Sequence, residues 1–84
     1  MMKLETQNRT LDVHYILPRG GELTISIEST EPLSEIAAMF EGMGVIQTTE
    51  DDNPNVTHIY EGYTELTSIR RMSRGRVHVT LTKK

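Results

Sequence analysis

Val77, Val79 and Leu81 alternate strictly with Arg76, His78, Thr80 and Thr82, and the same two-residue period recurs along much of the chain. A period of two sends apolar side chains to one face of an extended strand and polar ones to the other, so its repetition commits the chain to a sheet with one buried face. Leu11, Val13, Tyr15 and Leu17 alternate with Asp12 and His14. After Pro18-Arg19-Gly20-Gly21 the pattern resumes as Leu23, Ile25 and Ile27 against Glu22, Thr24, Ser26 and Glu28. The two runs read as a β-hairpin with one apolar face. Pro18 presets φ, and the two glycines accept positive φ without a Cβ clash, which assigns the reversal to those four residues.

The period changes once. Leu33, Ile36, Ala37, Phe40 and Met43 follow helical spacing, which predicts one helix of three to four turns. Thr30 is the expected cap, Glu31 and Pro32 suit the first turn, and Gly42 and Gly44 supply the stop. Extended character returns over Val45 to Thr49 and Val56 to Tyr60, joined by the turn Glu50-Asp51-Asp52-Asn53-Pro54-Asn55. A further strand runs from Tyr63 to Met72. Its Leu66 and Ile69 are out of phase by one residue, which predicts a bulge near Thr67-Ser68. Ser73-Arg74-Gly75 then turns the chain into the last strand. Residues 1 to 10 lack a period and read as a frayed lead-in or a short edge strand. The predicted order is β-β-α-β-β-β: an α+β class in which a curled antiparallel sheet of five to six strands packs against one helix.

With 84 residues the chain has room for one small core, so residues 1–84 are expected to be a single domain. One Phe, three Tyr and no Trp fill that core sparsely, and assembly into something larger is a reasonable expectation. The absence of cysteine excludes a disulfide framework, thiolate metal sites and a cysteine nucleophile. The longest apolar run, Ile36 to Phe40, is too short to span a bilayer, and no basic-then-apolar leader opens the sequence. The expectation is a cytoplasmic product of a bacterial host, or a virion component, without membrane contact.

Candidate chemistry is sparse. His14, His58 and His78 fall on three separate predicted strands, outside any spaced metal or catalytic motif, and no serine sits in a nucleophile elbow. No cofactor and no enzymatic activity are expected. Glu50, Asp51 and Asp52 make a carboxylate-rich turn, but its spacing lacks the alternate-residue pattern and central glycine of a calcium loop. The distinctive feature is charge segregation. Residues 1 to 66 hold all 12 acids against three bases, whereas residues 67 to 84 hold six bases and no acid. Arg70, Arg71, Arg74, Arg76, Lys83 and Lys84 would ride on or beside one hairpin as a basic ridge. Three uses follow: a phosphate contact on nucleic acid, a guarded sheet edge, or a bipolar protomer whose basic hairpin meets a neighbour's acidic flank. Few aromatics interleave with the bases, which disfavours a nucleic-acid stacking platform.

Tyr60-Glu61-Gly62-Tyr63-Thr64-Glu65-Leu66-Thr67-Ser68-Ile69, then Gly75-Arg76-Val77-His78-Val79-Thr80-Leu81-Thr82-Lys83-Lys84, with Met39-Phe40-Glu41-Gly42 upstream, carry a resemblance. Over residues 33 to 84 the chain resembles small uncharacterised proteins encoded by bacteriophages and prophages of Gram-positive bacteria. The resemblance implies a phage product without a known catalytic site and transfers no functional residue. The expected function is therefore noncatalytic and exerted through protein–protein contacts, self-association included. Alternatives are inhibition of a host defence nuclease, with the turn Glu50-Asp51-Asp52 mimicking nucleic acid, and nucleic-acid binding through Arg70, Arg71, Arg74 and Arg76.

Overall fold

The computed structural model describes residues 2–6, 9–41 and 43–83. Its strands are β1 (Met2–Glu5), β2 (Thr10–Arg19), β3 (Glu22–Glu28), β4 (Val45–Glu50), β5 (Thr57–Glu61), β6 (Tyr63–Arg71) and β7 (Arg76–Lys83), with one helix, α1 (Leu33–Phe40), between β3 and β4. They form one antiparallel sheet in the order β5-β4-β1-β2-β3-β7-β6. The α+β class with a single helix holds. The strand count is seven in place of five to six, and the expected curl gives way to an open layer, since among the described residues no ladder joins edge β5 to edge β6.

The extra strand is β1. It is neither frayed nor an edge, because Leu4 lies opposite Leu11 on one side and Thr48 on the other. Leu4 is completely buried. A four-residue strand carries too little alternation to register as a period, so its place is set by neighbours on both sides.

Three apolar rows cross the inner face. Val13, Ile27 and Val77 form one, Ile16, Ile25, Val79 and Ile69 the next, and Pro18, Leu23, Leu81 and Leu66 the third. The β6–β7 ladder slips between Leu66 and Ser68, which resolves the phase error between Leu66 and Ile69 and turns both inward. Ile36 and Phe40 of α1 are fully buried in the same core. The helix spans eight residues, about two turns, instead of three to four. Glu41 already has extended geometry, with its N–H still donating to the Ala37 carbonyl. Met43 therefore packs against the core from outside the helix.

The start of α1 also differs from expectation. Pro32 is the N-cap without a side-chain cap hydrogen bond, and Thr30 is exposed. The Ser29 hydroxyl accepts the Glu31 N–H at 3.1 Å instead. Gly42, expected as a helix stop, and Lys84 lie outside the described residues.

The first hairpin turns at Gly20 and Gly21 alone, with φ of 55° and 83°. Pro18 belongs to β2, opposite Leu23. β1 pairs with β2 only as far as Val13, so the missing N–H of Pro18 withdraws nothing from that ladder.

Gly62 alone separates β5 from β6, although they are the two ends of the sheet order. The two edges therefore approach at this corner. Gly62 makes the bend at φ 87°, and its N–H donates to the Gly44 carbonyl at 3.0 Å.

Candidate interaction surface

A bulge in β2 creates the surface. Val13 lies opposite Ile27, but the next pair is Tyr15 with Ser26, so His14 is the inserted residue. One extra residue reverses the facing of all that follow. Leu11 and Val13 point into the core, while Tyr15 and Leu17, expected on the same apolar face, point outward. They remain 40% and 52% exposed. Ile16 takes the inward place. The run Tyr15-Ile16-Leu17 carries the trace of this in the sequence, since three successive apolar residues cannot all face one side of a strand.

The outward register brings Tyr15, Ser26, His78 and Arg70 into one row across β2, β3, β7 and β6. The Tyr15 hydroxyl lies 3.4 Å from His78 Nε2, and the rings meet edge to face with centroids 5.8 Å apart. Ser26 in the middle of the row is fully buried, and its hydroxyl has no hydrogen-bond partner. Leu17, Thr24, Thr80 and Ser68 make the adjacent row. On the other side Arg76 stands opposite Glu28. The result is a polar sheet face with Tyr15 and Leu17 on β2, Arg76 two strands away on β7 and Arg70 three strands away on β6.

The predicted basic ridge divides. Arg70 and Arg76 lie on this outer face. Arg71 belongs to the inner register opposite Val77, and its guanidinium reaches back to donate to the Ser29 carbonyl at 3.0 Å and to the Glu31 carbonyl. Arg9 binds the Glu31 carboxylate, so two arginines hold the β3–α1 connection. Arg74 sits in the tip of the β6–β7 hairpin with φ of 61°. Lys83 is at the far end of β7, its ammonium 5.5 Å from the centre of the Tyr63 ring.

The acidic turn leaves the same end of the sheet as the basic tip, on the opposite edge. Glu50 aligns with Met2, Val13, Ile27, Val77 and finally Arg71 across the intervening ladders. An imidazole and a lysine stand beside the turn. His58 Nε2 lies 3.8 Å from Glu50, and Lys3, bound to Asp12, also feels the charge of Asp51. Asp52 is exposed.

The histidines do not meet. His14 Nε2 is 3.5 Å from a Glu28 oxygen, His58 faces Glu50, and His78 faces Tyr15. Among the described residues no group of three His, Asp or Glu side chains could hold a metal ion. Clefts of about 430 and 410 Å³ lie beside β6 and at the Gly62 corner. The first is lined by Glu41, Thr64, Glu65 and Leu66, the second by Ile59, Tyr60, Glu61, Tyr63 and Lys83. At that corner, loss of water around Tyr60, with Tyr63 nearby, holds its phenol above the ordinary tyrosine range. Among the described residues no helix is long and apolar enough to cross a membrane.

No family model, curated protein or solved structure matches the chain.

Proposed function

We propose that this chain is a noncatalytic, phage- or prophage-encoded protein that works by protein–protein contact, in the host cytoplasm or within a virion. Its docking surface is the outer face of β2, β3, β7 and β6. The observation that carries this reading is the outward setting of Tyr15 and Leu17 on β2, on the same sheet face as Arg76 of β7 and Arg70 of β6. Aromatic residues and arginines are the side chains most often responsible for binding energy at interfaces, and a sheet holds them rigidly with little conformational entropy left to lose. Arg70, on the edge strand of that face, favours a partner with an acidic surface.

Tyr15→Ala and Arg70→Glu test this reading. Each should weaken capture of the partner from induced or infected cells at least tenfold while the fold, judged by circular dichroism, is unchanged. A partner retained equally by both variants overturns the assignment of the face.

A second reading is supported by the same row, because it places one aromatic ring, Tyr15, and one arginine, Arg70, on a common face three strands apart. Nucleic acid would then bind with a salt-dependent affinity, read by gel shift against ionic strength. Mimicry of nucleic acid by Glu50, Asp51 and Asp52 draws less support, since Lys3 already stands near Asp51 and the His58 ring lies beside Glu50. Reversing the three to lysine would abolish nuclease inhibition if that reading held.

A further inference from the structure

The two edges of the sheet are protected very differently. β6 carries Glu65, Arg70 and Arg71 and slips register twice, between Tyr63 and Glu65 and between Leu66 and Ser68. Charges and bulges of this kind block strand addition. β5 has no register slip, and its one carboxylate, Glu61, stands at its last position. It pairs with β4 through five uninterrupted positions, Thr57 with Thr49 through Glu61 with Val45. Its sequence Thr-His-Ile-Tyr-Glu contains no proline, lysine or arginine. Among the described strands nothing pairs with its other side. Ile59 at its centre is 58% exposed, and Val45, its diagonal neighbour on the same face, is 51% exposed.

We infer that β5 is the edge through which two copies of this chain associate, by antiparallel pairing about a twofold axis at Ile59. The strand is complementary to itself in that register. Ile59 meets Ile59 of the partner, Thr57 faces the partner's Glu61, and His58 faces the partner's Tyr60, so no like charges stand opposite each other. The His–Tyr pairing repeats the ring contact that Tyr15 and His78 make inside the sheet. Antiparallel alignment also brings the acidic turn before β5 towards the partner's Gly62 corner, where Lys83 supplies a positive charge. A twofold closes on itself, so pairing stops at the dimer and joins two seven-stranded sheets edge to edge. Five residues of ladder are a small contact compared with a stable interface, so the dimer is weak and concentration-dependent. This inference stands apart from the Tyr15 face, which lies on other strands.

Two measurements test it. Sedimentation of the chain from about 10 μM to about 1 mM should show mass rising towards that of a dimer, a range appropriate to a weak contact. Ile59→Lys should stay monomeric throughout with an unchanged melting midpoint, because the side chain it replaces faces solvent. The natural sequence has no cysteine, so Ile59→Cys gives a background-free trap: across the axis the paired Cβ atoms lie about 4.5–5.5 Å apart, wider than the roughly 3.5–4.5 Å of a disulfide, and a short bismaleimide should link the two thiols into a covalent dimer. Leu17→Cys, equally exposed but away from the edge, is the control. A monomer at every concentration, a dimer that survives Ile59→Lys, or Leu17→Cys crosslinking as fast as Ile59→Cys each overturns the inference. If Ile59→Lys is monomeric yet still captures the partner, the Tyr15 face and the dimer edge are separate, as inferred here. Loss of capture by Tyr15→Ala with dimerisation intact leaves this inference standing by itself.

Discussion

At the scale of single residues, Arg74 is the place where backbone geometry and side chain disagree. The hairpins β2–β3 and β6–β7 turn through two central residues with positive φ, Gly20-Gly21 in one and Arg74-Gly75 in the other, at 61° and 74° in the second. An L-residue with a Cβ pays about 1–2 kcal/mol for that conformation. Arg74→Gly should therefore stabilise the domain by roughly 0.5–1 kcal/mol after glycine's own entropy loss, raising the melting midpoint by about 3–5 °C in a scanning measurement. Tyr60 sets a different test. Its folded-state phenol ionises above the unfolded value because burial, and then Tyr63, disfavour the phenolate. Its contribution to stability is thus complete below the unfolded value of about 10 and is lost as pH rises through the higher folded value. Phenolate absorbance should show a late ionisation step from Tyr60, and Tyr60→Phe should remove that step and flatten the alkaline loss of stability.

At the scale of elements, α1 shows what packing contributes beyond propensity. Eight residues are too few to be helical alone in water, and no side chain caps the start. The helix persists because Ile36 and Phe40 are buried against the sheet and because Arg71 and Arg9 tether the segment before it. Phe40→Ala should cost about 3–5 kcal/mol, a large share of the roughly 5–15 kcal/mol typical of a domain, and the shift of the urea midpoint measures it. Sequence spacing was sufficient to locate this helix, and the clean alternations of β3 and β7 were equally readable, since each is a regular strand with one face inward. The bulge at Leu66–Ser68 was readable because two apolar residues were out of phase. The bulge at His14 went unread, because the regular spacing of Leu11, Val13, Tyr15 and Leu17 masks its one sign, the apolar Ile16 between the last two. The candidate surface arises from that concealed reversal. Arg70 and Arg76 were legible as basic residues, whereas their sharing a sheet face with Tyr15 depends on a register between strands distant in sequence.

The whole molecule is a sheet assembled largely from distant pairings. β1 meets β4 across more than 40 residues, and β3 meets β7 across a similar span. Period alone cannot read this order, because alternation marks which residues face inward and is silent about which strand comes next. Leu4 offers the sharpest check on the assembled sheet. A frayed lead-in would tolerate Leu4→Ala within about 0.5 kcal/mol, whereas a buried central position should lose about 2–5 kcal/mol, as denaturant titration would resolve. One consequence follows from the place of β7 between β3 and β6. During synthesis, the chain up to Arg71 holds β3 with its entire free margin uncovered and β6 with no strand to join. Nascent polypeptide in that condition is a half-built wall with an adhesive border, and its safety depends on how soon residues 76–83 leave the ribosomal tunnel.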